Sequence, residues 1–187
     1  MSMLSSLAGC KDISIYSDKI KSSSNHICHF YKIAEGIDIE KLISLFDIII
    51  KRHEVLKTVF IEKTINNQRS IYGKIKNNLE LNIEQYNINN FVEFIRPFDL
   101  TKDSLIRVGL IEKYVLMIDI NHTICDGYSF GILTNELFKL YNGESLDELP
   151  IQYSDYAIYY EEKENNMEIM IINLNIINPY LMKNMIL

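Results

Sequence analysis

The stretch IDINHTICDGYSFGIL, residues 118–133, decides the fold, because an apolar run typical of a strand meets an amphipathic helix inside it. Alternation along a strand puts every second side chain on one face, so Ile118, Ile120 and His122 share a face. Asp119 and Asn121 lie on the other face. The pattern therefore predicts a strand, a tight turn and a helix in succession, with His122 at the junction.

The junction carries residues suited to proton transfer. A partly desolvated imidazole at His122 would be neutral near pH 7 and could act as a general base. Gly127 allows an unusual backbone angle or the close approach of a substrate, and the amides that follow could donate to an oxyanion. The residues alone leave a structural alternative open, in which Asp126 caps the helix, Gly127 makes the bend and His122 is a core histidine.

Outside the junction, the chain predicts an α/β fold of the α+β two-layer sandwich type, with a mixed sheet and helices packed on it. We expect strands at residues 24–34, 58–62, 70–75, 79–84, 105–114 and 115–121. We expect helices at residues 38–54 and 127–143, and a short helix before Pro97. Asp38 should cap the first helix and Gly143 should end the second. Tight turns are predicted at residues 66–67 and 112–113.

The first of these helices has one apolar face, because its apolar residues recur at spacings of three and four. They are Ile39, Leu42, Ile43, Phe46, Ile49 and Ile50. This face should be buried against the sheet.

Length and composition exclude several classes of protein. A chain of 187 residues favours one domain. The formal charge of −6 and the scattered basic residues argue against a nucleic-acid partner. No apolar run approaches the roughly 18 residues of a membrane span, and LAGC at residues 7–10 lacks the basic and apolar regions of a lipoprotein signal. We therefore expect a cytoplasmic protein without membrane contacts.

Two cysteine-containing segments could in principle carry a metal site or a nucleophile, and the sequence favours neither. On a strand, His26 and Cys28 face away from His29, so the HICH segment should not hold a metal. Cys125 lies beside the junction but lacks a visible orienting partner for a nucleophile. The three cysteines also form no disulfide framework. We expect no metal site, and a packing role for Cys125.

Other polar and aromatic residues favour structural roles. His53 falls at a helix end, where a cation suits the helix dipole. Four tyrosines near the end of the predicted domain have helical spacing, which favours packing in the core or between lobes. They are Tyr153, Tyr156, Tyr159 and Tyr160.

The junction NHTICDGYSFGIL resembles the HHxxxDG motif of the condensation domains of nonribosomal peptide synthetases, which belong to the chloramphenicol acetyltransferase-like superfamily. Three more segments match in the same order: RHEVLKTVF at 52–60, PFDLTKDSLIRVGLI at 97–111 and LPIQYSDYAIYY at 149–160. Chloramphenicol acetyltransferase itself is similar at HTICDGY but lacks the other three. The resemblance runs from about residue 27 to 162 and corresponds to the N-terminal lobe only.

The resemblance implies an activity and a set of partners. Condensation domains join an acyl or peptidyl group, held as a thioester on one carrier protein, to the amine of an aminoacyl group on the next. Phosphopantetheine arms of the carriers present both substrates, so no cofactor is expected to bind the chain directly. The resemblance also implies a chloramphenicol acetyltransferase-like lobe.

Residue by residue, His122 matches the catalytic histidine, and Asp126 and Gly127 match the DG of the motif. Asn121 replaces the first histidine of the motif, and we expect that change to be tolerated because the side chain faces away from His122. In the family the aspartate pairs with an arginine of an RHExLR segment. Here that segment offers Arg52 and Lys57, and an ammonium at 57 would hold Asp126 less rigidly than a guanidinium.

The match also predicts an organisation: residues 1–164 form the N-terminal lobe, and residues 165–187 are a divergent, poorly ordered tail. We expect a truncated gene product whose amide-forming activity is impaired by the lack of a second lobe. A homodimer could supply the missing surface. Two alternatives stay open: a noncatalytic fragment that docks a carrier protein, and a homo-oligomeric CoA-dependent acyltransferase.

Overall fold

The computed structural model describes residues 25–165 except residues 66, 78 and 80. In this part the strands are β1 His26–Lys32, β2 Thr58–Ile65, β3 Gln68–Ile75, β4 Ile83–Tyr86, β5 Ile106–Ile111 and β6 Val115–Asn121. The helices are α1 Ile39–Arg52, α2 Gly127–Tyr141 and α3 Tyr153–Asn165, with short 3-10 helices at Glu54–Lys57 and Phe91–Phe94. Residues 166–187 of the predicted tail lie outside the described residues, and so does the LAGC segment.

The strands form a four-stranded sheet in the order β1-β6-β5-β4 and a separate β2–β3 hairpin. β4 runs parallel to β5, whereas β1–β6 and β5–β6 are antiparallel. The predicted mixed sheet with helices packed on it is confirmed. The strand expected at residues 79–84 lies later, at Ile83–Tyr86, where the chain pairs with Val108–Ile111 of β5.

Strand β6 supplies both faces of the sheet. Leu116, Ile118 and Ile120 belong to the core that the sheet forms with the helices. Helix α1 contributes the fully buried Phe46 and Ile49, and α2 contributes Leu133. The predicted apolar face of α1 is largely confirmed, although Ile39 and Ile43 are only partly buried and Leu45 is buried in addition.

The opposite face of the sheet has a smaller core. Met117 of β6 packs there with Phe30 and Ile111 of the neighbouring strands. Phe91 and Phe94, from the four-residue 3-10 helix, cover them. This is the short helix expected before Pro97, and it ends at Phe94.

Local signals set the ends of the helices as predicted. The Asp38 carboxylate accepts a hydrogen bond of 2.9 Å from the Lys41 amide and so caps α1. Gly143, with φ of 81°, follows the end of α2 in the left-handed conformation that glycine adopts readily.

The predicted turn between β5 and β6 is also confirmed. Glu112 and Lys113 have φ of 48° and 63°, which are unusual for residues other than glycine. The Tyr114 amide closes the turn by donating to the Ile111 carbonyl at 2.8 Å. Tight hairpin connections favour such angles because they match the twist of the paired strands.

Gly109 of β5 offers a test of packing between the sheet and the 3-10 helix. A Cβ at this position would lie 3.0 Å from Met117 Cε and from Phe94 Cε2, and both side chains are fully buried. Gly109→Ala should lower the free energy of unfolding by about 1–3 kcal/mol through overpacking, measured by urea denaturation.

The matched control is Gly131→Ala, at an exposed position of α2 where a Cβ meets nothing within 4 Å. This change should raise stability by about 0.5–1 kcal/mol, since alanine favours the helix. Equal effects of the two substitutions would contradict the packing described for Gly109.

Candidate functional site

The turn that follows β6 is anchored on both sides. The Asn121 amide donates to the Leu105 carbonyl at 2.9 Å, and the His122 amide donates to the Asn25 carbonyl at 2.9 Å. The buried Asn121 side chain accepts from the Thr123 amide at 3.0 Å. Asn121 therefore shapes the turn, and its burial agrees with a side chain that faces away from His122.

The side chain of His122 is exposed. The expected partial desolvation is therefore wrong, and so is the alternative of a core histidine. The reason is that β6 ends at Asn121, so strand alternation no longer governs the next residue. The structure places the imidazole on an open surface, next to a turn held by backbone hydrogen bonds.

Asp126 caps α2, as the structural alternative predicted. Its Oδ1 accepts from the Ser129 hydroxyl and from the Ser129 amide, both at 2.7 Å. The hydrogen bond from the Ser129 hydroxyl has the largest effect, and together with that from the Ser129 amide it holds the pKa of Asp126 below its usual value. Asp126 is therefore an ionised cap that fixes the first turn of α2.

Gly127 is the first residue of α2, and its backbone is not left-handed. A Cβ at this position would meet no heavy atom within 4 Å. The predicted need for an unusual backbone angle at the bend therefore does not explain the glycine at position 127. Open space around it agrees with the other expectation, the close approach of a substrate.

The predicted ion pair of Asp126 with Arg52 or Lys57 is wrong. Arg52 Nε donates to Glu136 Oε1 at 3.2 Å, and Lys57 Nζ donates to the Lys51 carbonyl at 3.2 Å. Arg52 lies at the end of α1, which meets α2 about three turns beyond Asp126. The arginine therefore reaches Glu136 instead.

Glu136 is a residue that the sequence analysis missed. His53 Nε2 donates to Glu136 Oε2 at 2.6 Å, and both side chains are buried. Burial raises the pKa of Glu136, but the hydrogen bond from His53 and the charge of Arg52 outweigh it, so that the pKa is lowered. The sequence signal that could have revealed Glu136 is an acidic residue next to Leu137, on the apolar side of α2. The structural role expected of His53 agrees with this contact.

The same segment binds the start of α3. Gln152 Nε2 donates to the Arg52 carbonyl at 2.9 Å, and the Glu54 amide donates to Gln152 Oε1 at 3.1 Å. The Ser154 hydroxyl donates to Glu54 Oε2 at 2.6 Å. Residues 52–54 therefore join α1, α2 and α3 through polar contacts.

The HICH segment is divided between the two faces of the sheet, as predicted. His26 Nδ1 lies 2.9 Å from the fully buried Asp119, whereas the His29 ring stacks on Phe130 at 4.1 Å. Arg107 completes the buried cluster at 3.4 Å from Asp119 Oδ2. Among the described residues, no group of three potential ligands could hold a metal ion.

Cys125 is buried, and burial raises the pKa of its thiol to about 12. The thiol donates to the Asp126 carbonyl at 3.4 Å. Because the thiolate is the reactive form, this environment favours the expected packing role over nucleophilic chemistry.

The tyrosines of α3 do not pack in the core, and of the two predicted roles only packing between lobes stays a prediction. Tyr153 and Tyr160 are 50% and 47% exposed. Tyr156 lies between them, with ring centroids 6.0 and 5.9 Å away. Helical spacing predicted the stripe correctly but could not reveal that this face of α3 is partly open.

Comparison with known proteins identifies the family. The family model for the condensation domain matches residues 17–169. The chain belongs to the condensation-domain family. The resemblance predicted from four ordered segments is therefore confirmed.

Curated relatives are large synthases. The chain is 38% identical over 135 residues to surfactin synthase subunit 1 of Bacillus subtilis, and the match covers 68% of the chain and 4% of that protein. It is 32% identical over 148 residues to bacitracin synthase 3 of Bacillus licheniformis, covering 75% of the chain and 2% of that protein. The chain thus spans a small part of the length of the relatives it matches.

Solved structures show the same fold at low identity. The epimerization domain from the third module of tyrocidine synthetase B matches with a TM-score of 0.60 at 16% identity, over 77% of this condensation-family chain and 37% of that one. The X-domain from teicoplanin biosynthesis matches with a TM-score of 0.62 at 17% identity, over 87% and 39%. These matches confirm the chloramphenicol acetyltransferase-like fold. Along the described residues of this family member, no helix is long and apolar enough to cross a membrane.

The Glu136 cluster makes a prediction about pH. Glu136→Gln should lower the free energy of unfolding at pH 7 by about 1.5–3 kcal/mol, because a buried charged hydrogen bond is lost. The folded pKa of Glu136 is lowered, so its contribution is complete above the ordinary value of 4.5 and is lost as the pH falls through the folded pKa. Urea titrations at pH 7 and pH 3 should show the difference shrinking in acid.

The control is Glu144→Gln, at an exposed position just beyond α2. It should change stability by less than about 0.5 kcal/mol at either pH. A Glu136→Gln effect that is the same at pH 7 and pH 3 would contradict an ionised Glu136 as the source of the stabilisation.

Proposed function

We propose that the chain forms the histidine-bearing lobe of a condensation site, which joins an acyl or peptidyl thioester to the amine of an aminoacyl group. The observation that carries this proposal is the exposed imidazole of His122, held at an anchored turn beside the N-terminus of α2. Membership of the condensation-domain family supports it, as do the peptide synthases among the relatives.

The proposed reaction forms a C–N bond and breaks a C–S bond. The amine nitrogen attacks the thioester carbonyl, and the tetrahedral intermediate collapses with release of the carrier thiolate. In this proposal the attacking nitrogen loses one proton, which the imidazole of His122 accepts and passes to the leaving sulfur.

The oxyanion of that intermediate needs a donor. The Ser129 amide is already bound to Asp126, and the Tyr128 amide also bonds to this carboxylate. The Gly127 amide is then our candidate donor, assisted by the positive end of α2. Asp126 serves this site by fixing the helix start, rather than by meeting the substrate.

The proposed partners are peptidyl and aminoacyl carrier proteins whose phosphopantetheine arms deliver both substrates. We further propose that a second lobe, or a second copy of this chain, covers His122 during the reaction. The exposure of the imidazole supports this, because water at an uncovered site would compete with the amine for the thioester.

His122→Ala tests the proposal. The purified chain is given loaded donor and acceptor carrier proteins, alone and with the C-terminal lobe of a related condensation domain, and amide product is followed by mass spectrometry. The substitution should lower product formation by about a hundredfold or more, the scale of general base catalysis. Its stability should be unchanged, because the side chain is exposed.

His29→Ala is the matched control. His29 is also exposed, but it lies on β1, away from the motif in sequence, and its ring stacks on Phe130. It should leave product formation within about twofold. Product formation that survives His122→Ala would contradict the proposed role. Failure of the folded wild-type chain to form amide in both mixtures would favour the noncatalytic docking fragment instead.

Gly127→Ala tests substrate approach separately. Nothing within 4 Å opposes the added methyl group, so the folded chain should be as stable as the wild type or up to about 1 kcal/mol more stable. Amide formation should nevertheless fall by about tenfold, because the methyl group occupies space beside the proposed oxyanion donor. Unchanged amide formation would show that the substrate does not approach this residue.

A further inference from the structure

A buried carboxylate lies in the central strand shortly before the turn that carries His122. It belongs to Asp119, which is fully buried in β6. His26 Nδ1 of β1 lies 2.9 and 3.0 Å from its two oxygens, and Arg107 Nη1 of β5 lies 3.4 Å from Oδ2. One carboxylate therefore links three adjacent strands close to the end of β6.

This cluster is shielded from water. The side chains of His26 and Arg107 are 9% and 8% exposed. Phe98 packs against both, with its ring stacked 5.1 Å from that of His26 and 3.6 Å from the guanidinium carbon of Arg107. Arg107 also donates to the Pro97 carbonyl at 3.0 Å. Hydrogen bonds are stronger in such a dry environment, so the contact with Asp119 holds His26 firmly against β6.

The backbone beside His26 bonds directly to His122. The His122 amide donates to the Asn25 carbonyl at 2.9 Å, and this carbonyl belongs to the planar peptide group that joins Asn25 to His26. His26 and Asn121 form the end pair of the β1–β6 ladder, and the ends of paired strands open more readily than their centres. The side chain of His26 therefore governs how firmly the Asn25 carbonyl is held for His122.

The other side of the turn has a separate anchor. The Asn121 amide donates at 2.9 Å to the carbonyl of Leu105, a fully buried residue just before β5. This hydrogen bond involves neither Asn25 nor His26. The amides of Asn121 and His122 therefore report separately on the two sides of the turn.

We propose that His26 and Asp119 are positioning residues for His122. Their contact holds the Asn25 carbonyl, which sets the path of the backbone at His122 and hence the place of its imidazole. The inference rests on the proposed function and adds a part of the chain that acts on it from β1. It is distinct from the role of Asp126, which fixes the start of α2.

Amide hydrogen exchange measured by NMR tests the anchor directly. His26→Phe keeps a ring against Phe98 but removes the nitrogen that faces Asp119. It should raise the exchange rate of the His122 amide at least about tenfold and leave that of the Asn121 amide within about twofold, because only the β1 side loses its support. His26→Asn, whose side-chain nitrogen takes about the place of Nδ1, should restore the wild-type rate.

Amide formation tests the consequence for the reaction. With loaded carrier proteins and the C-terminal lobe of a related condensation domain, His26→Phe should lower kcat about tenfold and leave the KM for the acceptor carrier within about twofold, because a displaced base slows only the chemical step. His26→Asn should recover most of kcat. The matched control is His29→Ala, on the other face of the same strand, which should change neither value by more than about twofold.

Three results would overturn the proposal. One is exchange that rises equally at the His122 and Asn121 amides, because His26 would then serve only general stability. Another is an unchanged kcat in His26→Phe, and the third is a failure of His26→Asn to restore exchange and kcat. If His26→Phe shows no cooperative urea transition, His26→Leu takes its place in both measurements.

The two proposals can fail separately, since the exchange measurement needs no substrate. A wild-type chain that forms no amide would contradict the proposed function, while faster exchange at His122 alone in His26→Phe would still support the anchor. Amide formation that is lost in His122→Ala but unaffected in His26→Phe would overturn the positioning role and leave the role of His122 intact.

Discussion

Strand β6 is hydrogen-bonded along both edges, to β1 and to β5, and this double pairing fixes the point at which the chain leaves the sheet. Asn121 is the last residue of the strand. Its amide donates to the Leu105 carbonyl and the His122 amide donates to the Asn25 carbonyl, so backbone hydrogen bonds hold the chain on both sides as it leaves the sheet. The first turn of α2 is then fixed by Asp126. The site therefore depends on backbone geometry that the central strand imposes.

Two buried carboxylates link neighbouring segments of the chain, one on each side of the four-stranded sheet. Asp119 meets His26 and Arg107, and Glu136 meets His53 and Arg52. Buried pairs of this kind add little net stability compared with apolar packing, but breaking one leaves an uncompensated charge. Such clusters restrict which side chains can face each other and so favour one arrangement of the helices.

The sequence was most informative where its signals were local. The cap at Asp38, the turn at residues 112–113 and the apolar face of α1 depend on neighbouring residues. The cap and the turn were predicted correctly, and the apolar face largely so. The motif also predicted a candidate site, because its residue types and spacing lie within one turn. Family membership followed from four segments in order, which is information that no single segment holds.

The errors concern contacts between distant segments. The partner of Arg52 depends on where α1 crosses α2, and the sequence does not specify that crossing. The exposure of His122 depends on the path of the chain after β6 ends at Asn121, and alternation along the strand does not determine that path. Whether the tyrosine stripe of α3 packs in the core or against another lobe depends on what lies opposite it, and helical spacing does not distinguish the two.

The connection between β5 and β6 has a consequence for the order of folding. These strands are joined by a few residues with left-handed backbone angles, so they can pair within microseconds once both have been synthesised. β1 was made much earlier, since His26 and its partner Asp119 are 93 residues apart. The first strand of the sheet must therefore wait, and the free edge of β6 offers its hydrogen bonds to other chains until β1 arrives.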